Sequence, residues 1–294
     1  MTPGEFKVLL KFHKFIRNLS LNYPPLYQSR FDELHCCVLI PTYNNEVTLK
    51  RVIDQVLEFT SNIIVVNDGS TDRTMQILEE YSSLQVIHIP VNKGKGNALK
   101  TGFRQAFKMG YKYAISMDSD GQHFPDDLHV FLDALESHQP KNPDLLVIGS
   151  RKMDDPTVPD KSSIGNRFSS FWFWVETGVD LQDTQCGYRL YPLEAINSLN
   201  LYTSRFELEI EVIVKAAWKG VKVINLPVKV LYDPNERVTH FKPWQDVARI
   251  TVLNICFVFV AAFYIAPRNL LRKLTGKKKE ASKKTFLSSE VPLE

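Results

Sequence analysis

Between residues 36 and 117 short apolar runs alternate with amphipathic stretches, and this alternation constrains the fold more than any other feature of the chain. Residues 36–40, 63–66, 86–89 and 113–117 read as buried strands. Between them Leu49, Val52, Ile53 and Val56 recur at the spacing of one helix face, as do Met75, Leu78 and Tyr81, and then Leu99, Phe103, Ala106 and Phe107. Buried strands joined by such helices predict an α/β fold with a mostly parallel central sheet covered on both faces. Ligands of such sheets sit beyond the carboxyl ends of the strands, so the residues just after each run are where chemistry is expected.

After a fifth strand at 145–148 the alternation loosens. An aromatic cluster, Phe168, Phe171, Trp172, Phe173 and Trp174, precedes Asp183-Thr184-Gln185-Cys186-Gly187-Tyr188-Arg189, and a helix over about 206–218 with strands near 221–226 and 228–231 completes the pattern. With 294 residues, 44% of them hydrophobic, and no internal repeat, one catalytic domain over 31–243 is expected. Residues 1–30 lack a secretory signal. They place Phe6, Leu9, Leu10, His13 and Ile16 at helical spacing among Lys7, Lys11, Lys14 and Arg17, as in an amphipathic helix on a membrane surface or packed on its own domain. Residues 244–273 form a hydrophobic helical segment, and 274–294 a basic disordered tail. From 250 to 266 only Thr251 and Asn254 are clearly polar, a run a little short of the roughly 20 residues of a spanning helix. Arg249 precedes it and Arg268, Arg272 and Lys273 follow, so charge does not choose an orientation; spanning, re-entrant, in-plane and buried helices all fit. A formal charge of +3 without an aromatic-rich basic stripe gives no reason to expect nucleic acid as a partner. Cys36, Cys37, Cys186 and Cys256 show no zinc-ligand spacing and suit a reducing, cytoplasmic setting.

The sharpest chemical feature is Asp118-Ser119-Asp120-Gly121-Gln122-His123, directly after an apolar strand. Two carboxylates one residue apart at a strand end can share a hard divalent cation, with Gln122 as a further oxygen donor. Asn67-Asp68-Gly69-Ser70 closes the second strand, so Asp68 can accept hydrogen bonds from a ribose or base. Ser70 or Asp72 can cap the following helix at the same time. Pro41-Thr42-Tyr43-Asn44-Asn45 ends the first strand with backbone and an aromatic face for a base. Asn92-Lys93-Gly94-Lys95-Gly96-Asn97-Ala98 has glycines and lysines before a helix, suited to phosphate, but matches neither a P-loop nor a dinucleotide fingerprint.

As a set these stretches, with Asp183-Thr184-Gln185-Cys186-Gly187-Tyr188-Arg189, resemble family 2 glycosyltransferases of the GT-A (nucleotide-diphospho-sugar transferase) fold. The nearest branch resembles the dolichyl-phosphate or polyprenyl-phosphate mannose and glucose synthases, and the match runs from about 38 to 189, more loosely to 244. The resemblance implies that Pro41, Thr42, Tyr43, Asp68, Lys95 and Ser119 hold the donor, and that Asp118, Asp120 and Gln122 hold Mg2+ or Mn2+. It further implies Arg151 and Arg167 on the acceptor phosphate, Arg237 closing over the phosphates, and Asp183 in the catalytic set. Asn45 and Asn67 stand where the family often has glutamate and aspartate, which leaves the donor base open.

The activity implied is inverting transfer of a hexose from GDP-mannose or UDP-glucose to a lipid phosphate at the cytoplasmic face of a membrane. An anionic nucleophile needs positioning more than a base. A sugar hydroxyl on a glycolipid would instead require Asp183, Glu207 or Glu209 to deprotonate it, and Glu207 and Glu209, two apart on a helix, do not share a face. A nucleotidyltransferase would carry a basic, glycine-rich first strand end, and a non-catalytic membrane-associated scaffold would not need both Asp118 and Asp120.

Overall fold

The computed structural model describes residues 25–138, 144–151, 160–231 and 242–269, with backbone alone at 160–164 and 243. The segment 5–20, Arg237 and the basic tail lie outside the described residues. A short helix, α1 (Gln28–Glu33), buries Phe31 against β1 (Cys36–Thr42). There follow α2 (Leu49–Leu57), β2 (Ile63–Asp68), α3 (Thr74–Glu79), β3 (Gln85–Ile89), α4 (Lys95–Lys108) and β4 (Tyr113–Ser116). Every residue of β1, β2 and β4 is buried. The four residues at helical spacing in α2 are its buried face. Burying each such side chain contributes about 1.5–3 kcal/mol, which is why uniformly apolar runs form the middle of this sheet.

Then come α5 (Leu128–His138), β5 (Leu145–Ser150), α6 (Asp160–Thr177), β6 (Arg189–Pro192), α7 (Leu193–Asn197), α8 (Leu208–Lys219) and β7 (Lys222–Pro227). The seven strands make one sheet in the order β3-β2-β1-β4-β6-β5-β7. All run parallel except β6, which is antiparallel to both β4 and β5. Because β6 runs backwards, it begins at the edge where its neighbours end. The loop leading into it therefore joins the ends of β1, β2, β4 and β5.

Two expectations change. Residues 189–192 form a strand that the apolar pattern does not reveal, because its first residue is a buried arginine. Residues 228–231 contribute only an isolated bridge, Val230 to His123, instead of a strand. β7 already occupies the sheet edge beside β5, and Lys229 N–H is drawn to Asp127 at 2.5 Å.

The apolar C-terminal run is longer in space than in composition. Helix α9 (Pro243–Val260) continues through a π-helical turn (Ala261–Ile265), giving one helix over Trp244–Asn269 whose most apolar 18-residue window has mean hydropathy 2.2 and is only 11% buried. A buried core helix is thereby excluded. Phe257 packs on Trp218 at 5.2 Å between ring centres, and Arg268 donates to the Trp218 carbonyl at 3.3 Å. Trp244, Val252, Phe259 and Phe263 are exposed.

Below this contact Glu176 is 3% exposed with no hydrogen-bond partner at either carboxylate oxygen, and burial pushes its pKa up to about 8. The folded chain therefore keeps a proton that the unfolded chain releases near the ordinary carboxylate value. Stability is greatest below that value and declines as pH rises to about 8. Glu176→Gln is expected to flatten the decline between pH 5 and 8 and to raise the melting temperature at pH 8 by roughly 5 °C, read by thermal unfolding across pH. A variant with the wild-type pH slope would refute this.

Candidate active site

The strand ends meet around a cleft of about 640 Å³, a size suited to a nucleotide-bearing ligand. Pro41, Thr42 and Tyr43 line it from β1, Asp68 from β2, Lys95 from the start of α4, and Asp118, Ser119 and Asp120 from the loop after β4. Six of these eight are predicted donor residues and two, Asp118 and Asp120, are predicted metal ligands, so the cleft brings most of that set together. Arg205, Phe206 and Lys242 also line the cleft. Sequence reading misses them because they lie in irregular backbone with no periodic signal. Gln122, Arg151, Arg167 and Asp183 are not among the lining residues.

Each wall has its own support. Gly69 has φ +71°, and a Cβ there would lie 2.5 Å from the Asn92 nitrogen, so only glycine lets the second and third strand ends meet. Asp68, 1% exposed, accepts the backbone N–H of Lys93 at 3.0 Å and of Gly94 at 2.7 Å. Burial raises its pKa, and these hydrogen bonds offset part of the effect. Ser119 is buried in the cleft wall. Its hydroxyl accepts from Asn45 Nδ2 at 2.9 Å, and its carbonyl accepts from Thr48 at 2.7 Å. Asn45 thus clamps the aspartate loop to the first strand end, a role that a negatively charged side chain could not fill by donating.

Lys95 lies 2.8 Å from one Asp118 oxygen and 3.1 Å from Glu209. Burial acts to raise the Asp118 pKa and is outweighed by Lys95 and His123, which hold the carboxyl well below its usual range. Burial and the Asp118 charge push Asp120 the other way. Gly187 presses against this pair: a Cβ there would come within 2.6 Å of Asp118 Oδ2 and 3.0 Å of Lys95 Nζ. The two aspartates offer hard oxygens, and among the described residues no group of three or more His, Cys, Asp or Glu is placed to hold a metal ion. Such a set fits Mg2+ or Mn2+ that takes its other ligands from a diphosphate and water, not a closed protein cage.

Arg151, just past β5, makes a bidentate pair with Asp183 at 2.7 and 3.0 Å. Asp183 has no exposed side chain, and its pKa is lowered because Arg151 and backbone N–H groups outweigh the effect of burial. It is an anchor for Arg151, not a free base. Arg167 is exposed on α6.

Comparison with known proteins decides the family. The family model described as glycosyl transferase family 2 matches residues 37–198. The chain belongs to glycosyl transferase family 2. The chain is 29% identical over 217 residues to the UDP-N-acetylglucosamine--dolichyl-phosphate N-acetylglucosaminyltransferase of Methanococcus voltae, covering 66% of this chain and 85% of that one. It is likewise 29% identical over 208 residues to the polyprenol monophosphomannose synthase of Mycolicibacterium smegmatis, covering 65% and 75%. Glucosyl-3-phosphoglycerate synthase of Mycobacterium tuberculosis, solved with Mn2+, UDP and glucosyl-3-phosphoglycerate, superposes with TM-score 0.54 at 18% identity, covering 80% and 82%. That likeness establishes the family 2 fold as GT-A-like.

Proposed function

We propose that this family 2 glycosyltransferase moves a hexose, with inversion, from GDP-mannose or UDP-glucose to a polyprenyl or dolichyl phosphate at the cytoplasmic face of a membrane. One observation carries the reading: the cleft that gathers Asp68, Asp118 and Asp120 is also lined by Lys242, the residue that begins the exposed apolar helix α9. Donor chemistry and an apolar, bilayer-sized helix thus adjoin each other. Exposed Phe168, Phe171 and Trp174 on α6, which packs against α9, extend the apolar surface. The relatives named for dolichyl-phosphate and polyprenol acceptors support the same acceptor class.

In the proposed reaction Pro41, Tyr43 and Asp68 seat the nucleoside, and Asp118 and Asp120 hold Mg2+ or Mn2+, with Gln122 beside them. Bound metal supplies positive charge for the departing diphosphate. Arg151, oriented by Asp183, and Arg167 hold the acceptor phosphate, and Arg237 adds charge over the donor. A hydroxyl acceptor would need a base, and each candidate already has a partner on at least one carboxylate oxygen. Asp183 is paired with Arg151 and Glu209 with Lys95, while Glu207 is buried and accepts the Arg205 N–H. The lipid-phosphate reading needs none.

The test is transfer of radiolabel from each donor to polyprenyl phosphate in detergent with Mg2+ or Mn2+. Metal-dependent labelling of the lipid is expected. Slow donor hydrolysis without lipid labelling would leave the donor site standing and sink the acceptor assignment.

A further inference from the structure

At the floor of the cleft one ammonium is divided between two carboxylates. Lys95 Nζ lies 2.8 and 3.0 Å from the oxygens of Asp118 and 3.1 Å from Oε2 of Glu209. Lys95 and Glu209 are 18% and 10% exposed at the side chain, so water does little to screen the triad. The remaining oxygen, Oε1 of Glu209, is buried without a hydrogen bond among the described residues, and Arg189 Nε lies 3.9 Å from it. A buried acceptor left without a donor is costly. Here it belongs to a carboxylate already touching an ammonium that carries three donors.

A divalent cation held by Asp118 takes oxygen lone pairs that Lys95 now engages, and the two positive charges repel at such short range. We infer that Lys95 is an exchangeable counter-ion whose second seat is Glu209. Cation binding at Asp118 moves the ammonium onto both oxygens of Glu209, supplies the donor that Oε1 lacks and frees the aspartate. Glu209 is then a positioning residue for the metal site, acting through Lys95. Gly187 belongs to the same device, because a Cβ there would press on both Asp118 and Lys95. The inference rests on Asp118 and Asp120 as the metal ligands.

The test is a double-mutant cycle read as Mn2+ binding by the full chain in detergent with UDP or GDP, from loss of the free-ion electron paramagnetic resonance signal. Glu209→Gln is expected to weaken binding about tenfold and Lys95→Met to strengthen it. In the Lys95→Met background, the Glu209→Gln effect should shrink below about twofold, since an effect carried by Lys95 disappears with it. Equal effects in both backgrounds would overturn the inference in favour of simple long-range attraction. Glu209→Asp provides a second readout: it keeps the charge and shortens the reach, so weakening comparable to Glu209→Gln supports the contact, and wild-type affinity overturns it. Absence of Mn2+ binding by the wild-type chain would sink the metal ligands and this inference together. The radiolabel assay judges sugar transfer separately.

Discussion

Asp120→Ala is expected to lower sugar transfer about a thousandfold at saturating Mn2+ while leaving the fold intact or slightly stabilised, because a metal and its electrostatic field supply several kcal/mol to such a transition state. The stability half of the expectation follows from the apo geometry. Asp120 is disfavoured as an anion by burial and by Asp118, and it accepts a local hydrogen bond from Gln122 N–H at 3.0 Å. Removing it relieves repulsion and opens no large cavity. Asp118→Ala is different, since it also strips Lys95 of one of its two partners. Initial rates across a Mn2+ titration, with melting temperatures on the same samples, separate the two effects. An Asp120→Ala enzyme within tenfold of wild type would remove Asp120 from the metal site.

Arg189→Met is expected to be the most destabilising single change near the site, by about 3–5 kcal/mol. The guanidinium is fully buried and donates to three carbonyls: Cys186 at 2.6 Å, Glu209 at 2.7 Å and Thr184 at 2.9 Å. Methionine fills the stem but leaves those acceptors without donors, each costing about 1–3 kcal/mol when buried. The loop bearing Asp183 and Gly187 would lose its tie to α8, so activity should fall together with stability. Lysine would not substitute, since one ammonium cannot reproduce the planar spread of three donors. Chemical denaturation would show the loss as a lower midpoint, and a change under ~1 kcal/mol would mean that the three carbonyls find other partners.

Much of the donor half was legible in the sequence. Runs such as 36–40 and 63–66 could only be buried strands, and once these are parallel, Asp68 and Asp118 must share an edge. The other half was obscured for physical reasons. β6 is four residues long, starts with a charge and ends with proline, so neither length nor alternation marks it. Ser119 reads as a ligand group by position, and its hydroxyl also accepts from Asn45, a partner 74 residues away that position alone does not reveal. In the sequence Glu209 reads only as a possible base for a hydroxyl acceptor, on a different helix face from Glu207. Its signal was different: it and Glu211 lie within an otherwise apolar, buried helix stretch, and a carboxylate in such company must find a cation. For Glu209 that cation is Lys95, and for Glu211 it is Lys215.

The reversed strand also sets the order in which a nascent chain can be finished. β5 precedes β6 in synthesis, yet within the sheet it is hydrogen-bonded only to β6 and β7. Until residues 189–192 emerge, β4 is a second bare edge, besides β3, of a four-stranded half-sheet, and β5 has no neighbour to pair with. Unpaired apolar edges are templates for association between chains. A ribosome that stops between residues 151 and 188 therefore releases an adhesive fragment rather than a smaller stable domain, and the burden on folding helpers falls on that interval.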